Sequence, residues 1–205
     1  MPPGSIAVVV YDGFDELDAV GPFEVFANLD RAGADVRVRL ASPRPTAAVT
    51  GAHGMTLVPD GTLTAAAPDL LVVPGGGWTD GSETGARAEA EAGDLPDAIA
   101  TAADAGAIIA TVCTGGMLAA EAGLTDGRPA TTHHEAKAEL AESGAEIVDA
   151  RVVDDGDLVT AGGVTAGIDL ACWLVEREWG EEGARTIAEF MEYEPSNDVH
   201  VASDG

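Results

Sequence analysis

Lysine is almost missing from this sequence. Of 10 basic residues, 9 are arginine and Lys137 is the single lysine, set against 36 Asp and Glu, for a formal net charge of -26. Such a surface lacks the basic stripe that holds a phosphate backbone, so nucleic acid is excluded as a partner. The charge repels itself at low salt, whereas at molar salt the screening length falls to about 3 Å and the repulsion nearly vanishes. The composition therefore reads as that of a halophilic, acidic-surfaced, cytoplasmic protein, the competing reading being an acidic protein that is merely very soluble.

Cysteine is scarce as well. Two residues, Cys113 and Cys172, with no CxxC spacing form neither a disulfide framework nor a zinc knuckle, so each thiol needs its own explanation. Long apolar runs are also missing: none approaches the roughly 20 residues that span a bilayer, and the opening MPPGSIAVVVYDG has no basic segment ahead of its short apolar run. The expectation is a protein with no membrane partner.

What is present is 205 residues, 46% of them hydrophobic, enough for one sizeable core. We read residues 1–205 as a single domain with its core over about 5–195 and a frayed tail at 196–205. Continuous apolar runs of strand length, SIAVVVY, LLVVP and IIATV, have the signature of strands covered on both faces. Helical segments fall between them. After the first strand, Asp15 has the chemistry of an N-cap, and Gly21-Pro22 is expected to split the helix that follows into two pieces. Residues 78–93, acidic and rich in glycine, read as loop or a short exposed helix. Asp155-Gly156 between two extended runs predicts a hairpin, and Ile168, Cys172, Val175 and Trp179 fall on one helical face. Strands alternating with helices imply an α/β fold, a three-layer α/β/α sandwich on a mostly parallel, flavodoxin-like sheet. Its ligands belong beyond the carboxyl ends of the strands.

That rule selects Asp12 onward, Pro74 to Gly77, and Cys113-Thr-Gly-Gly116. A strand, a nucleophile and a glycine-bearing turn into a helix make a nucleophile elbow, here with Gly115 and Gly116 permitting the turn. A nearby helix N-terminus favours thiolate, so the Cys113 pKa is expected to fall. The competing reading of Cys113 is a small buried hydrophobe at a strand end; Cys172, on an apolar helix face, reads as core packing.

VVVYDGFDELDAVGPFEVFA, LLVVPGGG, ATVCTGGMLAAEAGLTDGRPATTHH and VVDDGDLVTAGGVTAGIDLACWLV resemble, in order and spacing, the motifs of the ThiJ/PfpI superfamily, related to class I glutamine amidotransferases, and most closely its isonitrile hydratase branch. The resemblance implies a cofactor-independent hydro-lyase with no metal, acting on a small molecule, and a homodimer. In that branch a cysteine attacks the terminal isonitrile carbon, an aspartate handles protons, and water completes hydration to an N-substituted formamide. Cys113 matches the nucleophile, Asp18 in its Leu17-Asp18…Gly21-Pro22 context the aspartate, and Thr114 the residue whose hydroxyl and N–H face the reacting group. Gly76, or next to it Gly75, matches the second backbone donor.

His133 and His134 stand where such members have a His followed by a Trp; His133 is a possible pocket residue, although a structural histidine fits its setting too. Gly162, Gly163 and Gly167 either line the pocket or permit tight packing. Thr114 occupies the place where peptidase and chaperone branches keep a histidine, which removes an adjacent Cys-His dyad. The chain ends soon after YEP, so no DNA-reading module is expected. Two alternatives remain open: a glyoxalase or deglycase acting on methylglyoxal-like carbonyls, and a non-enzymatic cysteine redox sensor or stress protein.

Overall fold

The computed structural model describes residues 1–63 and 67–202. In chain order the elements are β1 (Ser5–Val9), α1 (Glu16–Ala27), β2 (Arg37–Ser42), β3 (Val49–Thr50), β4 (Thr56–Leu57), β5 (Gly61–Thr62), β6 (Leu70–Val73), α2 (Ala86–Ala92), α3 (Asp94–Asp104) and β7 (Ile108–Val112). They continue with α4 (Gly115–Glu121), β8 (Pro129–Ala130), α5 (Lys137–Glu142), β9 (Glu146–Ile147), β10 (Val152–Asp155), β11 (Leu158–Ala161), α6 (Ala166–Trp179), α7 (Glu181–Phe190) and β12 (Val199–Val201).

The main sheet runs β12-β10-β11-β7-β6-β1-β2-β5. β5, β2, β1, β6, β7 and β11 pair in parallel; β10 turns back antiparallel to β11 through the Asp155-Gly156 hairpin, and β12 follows β10 in parallel. Every residue of β6 is buried, and in β1 and β7 only the first residue is partly exposed. This is why their sequences are continuous rather than alternating in hydropathy. α6 packs on both α1 and α7, and α2, α3 and α4 pack on one another. The result is the expected α/β/α sandwich, with the strands running through one buried cluster from Ile6 to Ile187.

Because β1 leads outward to β2 while β6 and β7 lie on its other side, the switch point falls at β1 and β6. The carboxyl ends of β1, β6, β7 and β11 therefore converge, and that convergence positions the site.

Three expectations need correction. α1 is not split at Gly21-Pro22 but runs unbroken to Ala27. An interior proline costs a helix about 3 kcal/mol and gives no N–H to the carbonyl four residues back, which here belongs to Asp18. Tertiary packing offsets the cost: a Cβ on Gly21 would stand 3.0 Å from Ile168 Cγ1, and one on Gly167 would stand 3.2 Å from Pro22 Cγ, so α1 and α6 approach closely through these small residues. Second, residues 78–93 are neither wholly loop nor simply exposed, for they end in α2 and bury Trp78, whose Nε1 donates to Glu139 Oε2 at 2.7 Å. Third, the tail is not frayed over residues 196–202. The Ser196 N–H donates to Asp169 Oδ1 at 2.7 Å, the Val152 N–H to the Asp198 carbonyl at 3.1 Å, and the Ala202 N–H to the Asp154 carbonyl at 2.8 Å. Residues 203–205 of the expected tail lie outside the described residues.

Candidate functional site

β7 delivers Cys113 at the carboxyl edge of the sheet. Its φ of 57° is left-handed, a conformation that costs an L-residue roughly 1–2 kcal/mol. The strain is held by hydrogen bonds on both sides: the Cys113 N–H is shared between the carbonyls of Ala161 at 3.2 Å and Gly162 at 2.9 Å, and its own carbonyl accepts from Thr132 Oγ1 at 2.7 Å. α4 begins two residues later, where a Cβ on Gly115 would collide with the Val73 carbonyl, so only glycine fits beneath the turn. This is the expected elbow geometry.

α1 supplies Asp18, completely buried one turn into the helix that Asp15 caps by accepting the Leu17 N–H at 3.1 Å. Asp18 Oδ2 accepts the Gly75 N–H at 2.9 Å. Oδ1 is buried without a directional partner, while the Cys113 thiol lies near enough to affect the carboxyl. Burial, reinforced by the negative charge of Asp15, raises the Asp18 pKa to about 8, against the lowering pull of the Gly75 N–H and of Cys113.

The thiol moves the same way. Burial and then the charge of Asp18 push Cys113 up to about 12, although the N–H groups of Val164 and Thr114 favour its ionised form. The expected lowering by a helix N-terminus does not occur. α4 has only seven residues, and two well-placed N–H groups do not outweigh desolvation beside a second acid. At neutral pH the resting pair is a carboxylic acid beside a thiol.

β6 closes the site with Pro74, Gly75 and Gly76. The Gly76 N–H, expected to face the reacting group, instead donates to Thr114 Oγ1 at 2.9 Å, and the Gly75 N–H is taken by Asp18. Thr114 itself is buried, and a Cβ on Gly75 would lie 2.5 Å from its backbone nitrogen. The N–H groups that favour the ionised sulfur are those of Thr114 and of Val164, the latter missed by sequence reading, while the Thr114 hydroxyl is engaged by the Gly76 N–H. Val164 follows β11 with a φ of 41°, a second left-handed residue in the same site and unusual for a β-branched side chain. The only hint of it in the sequence is the preceding Gly162-Gly163.

Tyr11 was missed too. Its buried hydroxyl donates to the Pro74 carbonyl at 2.7 Å, with the Gly75 carbonyl at 3.1 Å, and so pins the turn that presents Gly75 to Asp18. His133 lies beside this cluster. Its Nδ1 accepts the Glu135 N–H at 3.4 Å, capping a 3-10 turn, and its ring packs so closely on Gly163 that a Cβ there would stand 2.6 Å from Cδ2. Burial and neighbouring His134 lower its pKa, which favours a neutral ring. Cys172 is buried on α6, where burial and Asp169 raise its pKa to about 12. A cavity of about 690 Å³ between α6, α7 and the tail includes Cys172 but none of Cys113, Asp18 or Thr114.

Among the described residues, no group of three or more His, Cys, Asp or Glu is placed to hold a metal ion, and no helix is long and apolar enough to cross a membrane.

The profile of the DJ-1/PfpI family matches residues 4–177. Isonitrile hydratase from Pseudomonas putida is 34% identical over 192 residues, covering 93% of this chain and 79% of that protein. A crystal structure of a ThiJ/PfpI family protein from Pseudomonas syringae superposes with a TM-score of 0.83 at 30% identity, over 96% of this chain and 77% of the other. Drosophila melanogaster DJ-1beta superposes with a TM-score of 0.78 at 26% identity, over 93% and 98%.

Proposed function

The chain belongs to the DJ-1/PfpI family, and from that premise we propose that it is a cysteine-dependent hydratase that converts an isonitrile into an N-substituted formamide. The observation that carries this reading is the fully buried Asp18 carboxyl, held by the Gly75 N–H with its pKa raised to about 8, beside the Cys113 thiol. An isonitrile carbon bears a lone pair and becomes electrophilic once protonated. A neutral acid-thiol pair matches that demand, because the acid supplies the proton and the sulfur adds to the same carbon.

In the first step Asp18 protonates the terminal carbon, Cys113 Sγ bonds to it, and the thiol proton passes to the Asp18 carboxylate. The product is a thioimidate, R–N=CH–S–Cys113, with Asp18 protonated again. Water then adds to the C=N carbon while Asp18 gives a proton to nitrogen and takes one from the water. The resulting R–NH–CH(OH)–S adduct collapses; its hydroxyl proton goes to sulfur, the C–S bond breaks, and the formamide leaves with Cys113 restored as a thiol. The N–H groups of Thr114 and Val164 stabilise negative charge on sulfur as the C–S bond forms and breaks.

The same observation disfavours the two alternatives. Addition of sulfur to a methylglyoxal-like carbonyl draws on a thiolate, and redox sensing selects thiols that are acidic and accessible. Cys113 is neither, being 6% exposed with its pKa raised. A homodimer acting on a small molecule in a salt-rich cytoplasm completes the reading, with sedimentation velocity as the measure of assembly.

The test is to follow an alkyl isonitrile by NMR in molar salt. Formamide should appear with the wild type and not with Cys113→Ala. Turnover retained in Cys113→Ala, or lactate formed from methylglyoxal with the isonitrile untouched, overturns the proposal.

A further inference from the structure

We propose that Tyr11 is a positioning residue of the reacting pair: its hydroxyl acts through the Pro74–Gly75 peptide to hold the Asp18 carboxyl in place and to set its strength as an acid. The part this plays in turnover rests on the hydratase reading; the link from Tyr11 to Asp18 does not.

The Pro74 carbonyl and the Gly75 N–H belong to one peptide group. Tyr11 Oη donates to that carbonyl at 2.7 Å, and the N–H on the far side of the same peptide donates to Asp18 Oδ2 at 2.9 Å. Phenol, peptide and carboxyl therefore form one chain, O–H···O=C–N–H···O. Drawing electron density toward the carbonyl oxygen makes the N–H a stronger donor, and bonds in such a chain strengthen one another by about 10–30% each. The next peptide repeats the pattern. The Gly75 carbonyl lies 3.1 Å from the Tyr11 hydroxyl and accepts the Asp15 N–H at 2.9 Å, while the Gly76 N–H of that peptide donates to Thr114 Oγ1 at 2.9 Å. One hydroxyl thus faces both of the consecutive peptides whose N–H groups hold the acid and the threonine beside the nucleophile.

The phenol is fixed in this place. Tyr11 lies just beyond β1, 2% exposed, with its ring edge-on to Phe14 at 6.4 Å between centroids. Burial, then the charges of Asp18, Glu89, Cys113 and Asp15, holds its pKa well above the ordinary phenol value, so it stays a donor throughout the range in which Asp18 titrates. The groups that act on Asp18 itself are Asp15, whose charge raises its pKa, and the Gly75 N–H and Cys113 thiol, which lower it. Because the Gly75 N–H favours the carboxylate, a weaker donor there raises the Asp18 pKa and a stronger one lowers it.

The experiment compares the wild type with Tyr11→Phe and with a protein carrying 3-fluorotyrosine at position 11, whose more acidic phenol is the stronger donor. Infrared difference spectra against Asp18→Asn isolate the carboxylic acid band and follow the Asp18 titration with no substrate present. The midpoint should rise in Tyr11→Phe by about 0.3–1 pH unit, a two- to tenfold change in proton affinity, and should fall in the fluorinated protein. With an alkyl isonitrile in molar salt, kcat should drop about tenfold in Tyr11→Phe while KM changes little, and the alkaline limb of kcat/KM should follow the order of the infrared midpoints.

Midpoints that coincide in the three proteins, or that run in the opposite order, overturn the inference, leaving Tyr11 a packed ring with a satisfied hydroxyl. Should Tyr11→Phe fail to fold, the fluorinated protein, which keeps both ring and hydroxyl, decides alone. Midpoints in the expected order in a protein inert toward every isonitrile uphold the link from Tyr11 to Asp18 and overturn the hydratase reading.

Discussion

The Asp18 carboxyl and the Cys113 thiol come from elements nearly a hundred residues apart and act on each other in opposite senses: the charge of Asp18 makes Cys113 harder to ionise, whereas the thiol pulls the Asp18 pKa down. Burial is the main cause of the net rise in both groups, and the charge of Asp18 adds to the rise at Cys113. Because Asp18 lies at about 8 and Cys113 at about 12, a working pair must lose its first proton from the carboxyl. The acid form is the active form in the proposed chemistry. Accordingly kcat/KM should be level through neutral pH and fall by about tenfold per unit above roughly pH 8. Asp18→Asn should reduce kcat/KM about 100-fold or more and erase that alkaline limb. A profile that rises through pH 8 would mean that the carboxylate or thiolate is needed instead.

The same shift makes a prediction about stability. The folded-state pKa of Asp18 stands well above its unfolded value, so the folded protein holds a proton that the unfolded chain releases. The stabilisation from that proton is complete below about pH 4 and is lost as pH rises toward 8. Asn at this position carries no such penalty. Thermal unfolding at fixed salt should therefore show Asp18→Asn melting above the wild type at pH 8, with the gap closing as pH falls toward 4.

Strain at the elbow is measurable by a pair of substitutions. Cys113 holds a φ of 57°, which glycine adopts freely and alanine does not. Cys113→Gly should therefore be more stable than Cys113→Ala by about 1 kcal/mol, the reverse of their order at an ordinary strand end. Urea unfolding of the two inactive variants reads this difference without interference from activity. Equal stability would show that the backbone relaxes when the sulfur is removed.

Much of this architecture could be read from composition and pattern. SIAVVVY, LLVVP and IIATV are buried strands because they are apolar on both faces, and the glycines after IIATV mark the elbow. Asp18 was identifiable only through its motif context, since among 36 acids no local signal separates it from a solvated one. The direction of the Cys113 shift was not legible, because it depends on burial and on a carboxyl brought in from α1. Val164 and Tyr11 escaped for a related reason: one acts through its backbone N–H in a strained conformation, the other through a hydroxyl hidden in an apolar strand run. The α1 break at Pro22 was misread because local propensity was outweighed by contact with α6.

Gly75 tests whether the three strand ends act together. A Cβ there would stand 2.5 Å from the Thr114 nitrogen and 2.9 Å from that of Gly115, both backbone atoms that cannot swing aside. Gly75→Ala should therefore separate the Gly75–Asp18 bond from the Cys113 elbow and reduce turnover about 100-fold or more, since a misplacement of about 1 Å costs that much. The Asp18 carboxyl, deprived of its N–H donor, should also titrate higher, which infrared spectroscopy of the carboxylic acid band can follow. Normal turnover in Gly75→Ala would mean that the β6 turn plays no part in the site.

Salt dependence follows from the charge. Among the described residues, Arg151 pairs with buried Asp169 and Arg177 with buried Asp154. These pairs have one end shielded from solvent and lose little to screening, whereas the surplus of acids behind the -26 repels across solvent. Raising NaCl from 0.1 M to 1 M shortens the screening length from about 10 Å to about 3 Å, which removes most of the repulsion and spares the buried pairs. The melting temperature should climb steeply over that range and flatten beyond it, and KCl should act like NaCl because the effect is one of ionic strength. An equal concentration of sucrose should not reproduce the curve, since it carries no charge to screen with. A melting temperature that falls as NaCl rises would show that the ion pairs outweigh the repulsion and that the acidic composition is not an adaptation to salt.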